Sequence, residues 1–439
     1  MKPFKVAILG CGTVGGGVAK ILLEECKRVA ERAGRTIEIA SIVDLFPSQS
    51  AQRHGIDPAY YCGGGKELTP REAARYIRDI LSDESIDLVV ETIGGTSPEI
   101  VALAHDALRH KKHLVTANKA LLAEHGKAIF ITAAEQKRAL GYEAAVCAAI
   151  PIIKAINECF TGDEILSLSG IMNGTSNYIL SQMEAEQRGY PDALKEAQER
   201  GYAEADPSLD VNGGDAGHKL TILLRIIFGL DIGSDDLQIQ GIESITGDDF
   251  EFANEMDCSI KLICYAKREK ESVFATVRPM MVKRGNLLSR INGATNAVQL
   301  RNKYAQQSTL IGQGAGSLET GSAIVSDIVF IARYGDKAIR NPALYAYQLK
   351  SFDELVFPYN VTFETANVPG ITGIVTTAIG KYEINIDTVS HNRYHASNAV
   401  FSIVTMPCTH RQIANAVEEI KNRHPSSLLA EPKIIPILA

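Results

Sequence analysis

The opening strand and turn constrain the fold more than any other part of the chain. Phe4 to Leu9 is an apolar run broken by one Lys, and Gly10-Cys11-Gly12-Thr13-Val14-Gly15 follows at once. Such a run reads as a buried strand, and Val14 to Ala33 as a helix ended by Gly34. Gly10 permits the tight turn, Gly12 lets the backbone approach a pyrophosphate, and Gly15 lets helix and strand pack closely. The helix start at Thr13 and Val14 offers free N–H groups and a positive dipole end to phosphates. Glycine-rich turns are common, but this one sits between a clean strand and a clean helix, which favours dinucleotide binding over a plain turn.

The same alternation continues. TIEIASIVD, DLVVETIG and HLVTA read as strands; REAARYIRDIL, PEIVALAHDALRH and KAIFITAAEQKRA read as helices. Apolar strands between helices predict a doubly wound parallel α/β sheet, a Rossmann domain over 1–139. From 140 to 335 mixed strands and helices predict an α+β catalytic and dimerisation domain. Its last helix, SLETGSAIVSDIVFIARYG, is expected to pack back on the nucleotide domain. A linker is placed at 336–357. The tail, 358–439, reads strand, helix, strand, strand, helix, strand, the split-βαβ module.

A chain of 439 residues needs more than one core. Its 45% hydrophobic and 22% charged residues are those of a soluble globular protein. The net charge of −7, with no block of Lys and Arg, argues against a nucleic-acid partner. No secretory signal or membrane span is read, so a cytoplasmic location is expected. The eight cysteines are scattered with no C-x-x-C pair, which argues against zinc and redox dithiols. His391 and His395 fall between two strands and read as a solvated loop rather than a metal pair.

At the carboxyl edge of the sheet the second strand ends at Val43-Asp44, where an acid could bind the ribose of NAD. A nearby Arg would favour NADP; Arg53 and Lys66 sit in unplaced loops, so the choice stays open. Thr92 and Gly94, in ETIGG, and Lys119, in TANK, end strands at the same edge.

The densest polar segment is GYAEADPSLDVNGGDAGHK. Glu204, Asp206, Asp210, Asp215 and Lys219 surround one Pro and two glycines. Lys219 stands four residues after Asp215 at a helix start, so the two share a face. The acids could bind a substrate ammonium, and a carboxylate-held Lys could act as general acid. The alternative is a solvated loop and a helix cap. Asn173-Gly174-Thr175 reads as a turn or a polar ligand contact. In EAAVCAAIPII, small residues after Glu143 could turn carbonyls toward a hard cation; taken alone, the segment reads rather as close packing.

GCGTVG, ETIGG, TANKALLA, YEAAV–IPII, GIMNGTSNYIL and GYAEADPSLDVNGGDAGHK together resemble the homoserine dehydrogenase family, over essentially the whole chain. The tail resembles an ACT domain, with Asn367-Val368-Pro369-Gly370 at its strand-to-helix turn. No aspartokinase module precedes the first strand, so the monofunctional form is expected.

The resemblance implies a reversible NADP- or NAD-dependent interconversion of L-aspartate 4-semialdehyde and L-homoserine, on the route to threonine, methionine and isoleucine. It implies that Lys219 donates the proton and that Lys119 lies near the carbonyl and the nicotinamide. Glu204 and Asp215 would contact substrate, supported by Asp210, with Asn173, Gly174 and Thr175 lining the cleft. Glu143 with the carbonyls of Val146, Ala148 and Ile150 would hold Na⁺. Threonine would bind near Asn367, Pro369 and Gly370, and a homodimer or homotetramer is expected. Many relatives carry glycines where this chain has Cys147-Ala148-Ala149, and some carry an Arg at the Val43 position. The alternatives are another amino-acid dehydrogenase, of the aspartate type, or a sensor without catalysis.

Overall fold

A computed structural model describes residues 2–338, 347–394 and 398–439. His395 and residues 339–346 of the expected linker lie outside them. Packing groups the chain into two compact units. One comprises Met1–Ile165, His218–Asp236 and Asn302–Ala346; the other comprises Leu166–Gly217, Leu237–Arg301 and Tyr347–Ala439.

The first unit is built in chain order from β1 (Phe4–Leu9), α1 (Thr13–Glu24), α2 (Cys26–Ala33), β2 (Ile37–Val43), α3 (Pro47–His54), α4 (Pro70–Ser82), β3 (Leu88–Glu91), α5 (Pro98–Arg109), β4 (His113–Thr116), α6 (Lys119–Glu135) and β5 (Leu140–Gly141). The strands lie in the order β2-β1-β3-β4-β5 and pair in parallel throughout. Side chains alternate across a strand, so β1 feeds two cores. Val6 and Ile8 pack with Val18 and Leu22 of α1 on one face. Ala7 and Leu9 pack with Leu103 and Leu108 of α5 and Leu121 of α6 on the other. That is the doubly wound arrangement expected.

The single helix expected from Val14 to Ala33 is two. The backbone breaks at Glu25 (φ −106°), and α2 beyond it buries only Val29 and Ala33. Far along the chain, helix Ser317–Tyr334 lies on α1. A Cβ at Gly17 would stand 2.2 Å from the Ser317 carbonyl oxygen, so the two helices touch backbone to backbone there.

The second unit carries a sheet in which Thr295–Asn302, Ile165–Ile171, Cys258–Glu269, Ser272–Lys283, Lys433–Leu438, Tyr359–Ala366, Asn398–Thr405 and Ile386–Tyr394 follow one another. The last four form the split-βαβ module read from the tail, with helices Ile371–Lys381 and His410–Arg423. Its final strand joins Ser272–Lys283 in parallel at Ile437–Met281 and Leu438–Val282. One core, including Ile263, Met280, Phe352, Tyr359, Phe363 and Phe401, runs through both parts of this sheet. Among the described residues no helix is long and apolar enough to cross a membrane.

Candidate active site

The glycine turn has the shape the sequence demands. Gly10 lies at φ +87°, and a Cβ there would meet the Thr92 carbonyl oxygen at 2.8 Å. A Cβ on Gly15 would fall 2.0 Å from the Gly10 carbonyl oxygen, so helix and turn are in contact through bare backbone. At Gly12 a Cβ would meet nothing within 4 Å. Gly12 and Thr13 are exposed, and no side chain caps the start of α1. Bare, uncapped amides facing open space are what a pyrophosphate needs, and a nicotinamide dinucleotide fits this edge.

The surrounding strand ends are tied to that turn. Asp44 follows β2 and accepts from the Cys11 amide at 2.6 Å and from the Phe46 amide at 2.8 Å. Thr92 follows β3 and donates to the Gly10 carbonyl at 2.6 Å. Arg53 and Lys66 are exposed.

The residue that shapes the Thr92–Gly94 loop was not singled out by sequence reasoning. Glu91, fully buried, accepts from the amides of Ile93 and Gly94, both at 2.9 Å, and from Thr116 Oγ1 at 2.6 Å. Thr116 Oγ1 in turn accepts from the Asn118 amide, while Asn118 donates to the Gly95 carbonyl and caps α6. Lys119 is the first residue of α6 and is half-buried. The chain of bonds from Glu91 to Asn118 therefore fixes Lys119 beside the ETIGG loop. An acid closing an otherwise apolar strand was the available signal.

The acidic segment resolves into a cluster and a loop. Asn173 caps helix Gly174–Glu186 through its side-chain oxygen, which accepts from the Ser176 amide at 2.8 Å. Its side-chain nitrogen donates to Asp210 at 2.7 Å and to Asp215 at 2.8 Å. Asp210 is also held through its carbonyl, which accepts from Ser176 Oγ. Thr175 donates to the Tyr202 carbonyl, and Gly174 lies against the Ala294 carbonyl. Asn173, Asp210 and Asp215 are thus together; Glu204 and Asp206 are exposed on the loop, where Asp206 bonds Ser208.

Asp215 and Lys219 stand one turn apart on helix Gly214–Phe228, with only 4% and 8% of their surfaces exposed. Buried charge is costly unless it is paired or used. That excludes the solvated-loop reading for these two residues.

In the small-residue segment Glu143 is 2% exposed, and its two oxygens accept from the amides of Ile153 and Lys154. Burial first, then the neighbouring Asp327 charge, raises its carboxyl to about 7. The Ile150 carbonyl accepts from the Ile152 amide. Cys147 and Ala148 lie at φ 53° and 31°, left-handed values that glycine tolerates and L side chains resist. Among the described residues no group of three or more His, Cys, Asp and Glu could hold a metal ion. A cation here would be bound chiefly by carbonyl oxygens. In the tail, Asn367 to Gly370 form one exposed turn, with Gly370 at φ +88°. Gly370 also lines a cavity of about 430 Å³ with Thr377, Lys381, Glu419 and Arg423.

A doubly wound sheet with an uncapped glycine turn, and a lysine fixed at a strand end beside it, define a dinucleotide-binding oxidoreductase. Family models described as "Homoserine dehydrogenase, NAD binding domain" and "Homoserine dehydrogenase" match residues 10–143 and 151–329. The chain belongs to the homoserine dehydrogenase family. It is 34% identical to the homoserine dehydrogenase of Neisseria gonorrhoeae, over 96% of each chain. It is 36% identical to that of Pseudomonas aeruginosa, over 95% of this chain and 94% of the other. A crystal structure of a homoserine dehydrogenase from Thiobacillus denitrificans superposes with a TM-score of 0.89 at 32% identity, covering all of this chain and 98% of that one.

Proposed function

We propose that the chain catalyses the reversible NAD(P)H-dependent reduction of L-aspartate 4-semialdehyde to L-homoserine. The observation that carries this reading is the pair Asp215 and Lys219, buried one turn apart on a single helix. The nicotinamide dinucleotide, when bound, supplies the hydride. Negative charge then develops on the aldehyde oxygen, and Lys219 Nζ stabilises it and donates the proton. Asp215 orients that ammonium. Lys119 adds a second positive charge near the carbonyl. Glu204 and Asp215 contact the substrate, its ammonium and polar groups, with Asp210 supporting them, while Asn173, Gly174 and Thr175 line the cleft. Gly10, Gly12, Thr13, Val14, Gly15, Asp44, Thr92 and Gly94 hold the dinucleotide.

The tail serves as an ACT module that binds threonine at Asn367, Pro369 and Gly370 and lowers the rate. Glu143, with the carbonyls of Val146, Ala148 and Ile150, binds Na⁺. The domains run 1–139, 140–335 and 358–439, joined by the linker 336–357, and the enzyme works in the cytoplasm as a homodimer or homotetramer. Initial rates with homoserine and with aspartate, using NAD and NADP, with and without threonine, test this. Homoserine-dependent reduction of the dinucleotide is the expected result. Activity on aspartate alone, or on neither, overturns it.

A further inference from the structure

The glycine turn is held from behind by residues that no motif includes. Cys11, its second residue, is fully buried, and both of its backbone polar groups are engaged. Its N–H donates to Asp44, and its carbonyl accepts from Ser50 Oγ at 2.5 Å. Ser50 belongs to α3 and is 7% exposed. Ser50 Oγ also lies 2.8 Å from the Tyr61 hydroxyl, which lies 3.3 Å from Cys11 Sγ.

Each hydroxyl has one proton to give. Ser50 spends its proton on the Cys11 carbonyl. Tyr61 must then donate to Ser50, and the Cys11 thiol to Tyr61. The ring of contacts closes in one direction only. It requires Tyr61 and Cys11 to keep their protons, and burial raises the pKa of each. Tyr61 is itself anchored to the sheet by its bridge to Ile42 and by the bond from the Cys62 amide to the Ile42 carbonyl.

Peptide planarity gives this ring a consequence. In a trans peptide the N–H points opposite to the C=O. The carbonyl of the Cys11–Gly12 peptide is drawn to Ser50, so by planarity the Gly12 N–H points away from Ser50; Gly12 itself is exposed, and a Cβ on it would meet nothing within 4 Å. The Cys11 N–H is already committed to Asp44. Gly12 is therefore the turn's own donor, ahead of the helix amides.

We infer that Ser50, braced by Tyr61, is a positioning residue that aims the Gly12 amide at the pyrophosphate of the dinucleotide. This rests on the dinucleotide reading above. Without the Ser50 hydroxyl the Cys11–Gly12 plane is free to rotate, and the amide must be ordered anew each time a dinucleotide binds.

NADH and NADPH are titrated by fluorescence into the full-length protein, and steady-state rates are measured with homoserine. Ser50→Ala raises Kd and KM for the dinucleotide about tenfold, the scale of one charge-assisted hydrogen bond. At saturating dinucleotide its kcat, and its KM for homoserine, stay within about twofold, a split that general loosening of the fold would not produce. Ser50→Thr restores tight binding. Tyr61→Phe keeps the aromatic side chain but removes the hydroxyl that braces Ser50, and shifts the same constants in the same direction by about threefold, which also covers the case of a poorly folding Ser50→Ala. A dinucleotide Kd within about twofold of the unaltered protein in Ser50→Ala, or in Tyr61→Phe alone where Ser50→Ala does not fold, overturns the inference. Unaltered protein that binds dinucleotide but does not oxidise homoserine overturns the activity and leaves the role of Ser50 standing; unaltered protein that binds no dinucleotide overturns both.

Discussion

The side-chain nitrogen of Asn173 donates to Asp215 Oδ2 at 2.8 Å, and the same nitrogen reaches Asp210 at 2.7 Å. One amide thus bridges two carboxylates, and its oxygen is spent on capping a helix. Exchanging Asn173 for Asp keeps the cap but replaces the bridging donor with a third acid. Asn173→Asp should lower kcat/KM for homoserine by about a hundredfold, the cost of a lost bond plus like-charge repulsion. The dinucleotide KM should change little. Steady-state kinetics with each substrate varied in turn checks this.

Gly15 has no room for a side chain. The atom met by a Cβ there is a backbone carbonyl oxygen at 2.0 Å, which cannot swing aside. Gly15→Ala should cost about 3 kcal/mol of stability and weaken dinucleotide binding, read by thermal unfolding and fluorescence titration. Gly12→Ala, with open space at its Cβ, should spare stability and affect binding alone.

The turn, the parallel sheet and the tail module were legible because each is written locally. Glycine spacing, two-sided apolar strands and a short strand-helix alternation need no distant partner to be read. Strand Cys258–Glu269 was missed: its end, Lys267-Arg268-Glu269, is charged, yet it pairs along its whole length with Ser272–Lys283. Helix Ser317–Tyr334 was expected on the nucleotide domain, but the two glycines that meet there, Gly17 and Gly321, some three hundred residues apart, were not read from the sequence. Likewise Glu91, Ser50 and Tyr61 act through contacts between strand ends and loops, which a single sequence does not encode as a pattern.

Ala148 carries a side chain at φ 31°. Left-handed backbone costs an L residue about 1–2 kcal/mol, more than the added chain freedom and lost methyl of glycine take back. Ala148→Gly should raise stability by about 0.5–1 kcal/mol, seen as a higher urea midpoint at unchanged slope. A lower midpoint would show that methyl packing outweighs the backbone.

His410 begins a tail helix and lies 2.8 Å from Asp353, with Arg278, Tyr359 and Phe352 around it. Burial, then the Arg278 charge, lowers its pKa below the usual value, against the pull of Asp353. The unfolded chain binds the proton more readily than the folded one. The stability this group contributes is therefore present above its unfolded pKa of about 6.5 and is lost as pH falls through the lower folded value. Between pH 7 and pH 5 the unaltered protein should lose more stability than His410→Gln. Urea titrations across that range measure it, and parallel curves would contradict it.

Lys219, as the proton donor, carries the chemistry proposed for this enzyme. Lys219→Ala should lower kcat for homoserine oxidation by about a thousandfold or more while holding the dinucleotide Kd within about threefold. Initial rates and a dinucleotide titration on the same preparation give both numbers. A kcat within about tenfold of the unaltered enzyme would contradict the role assigned to Lys219.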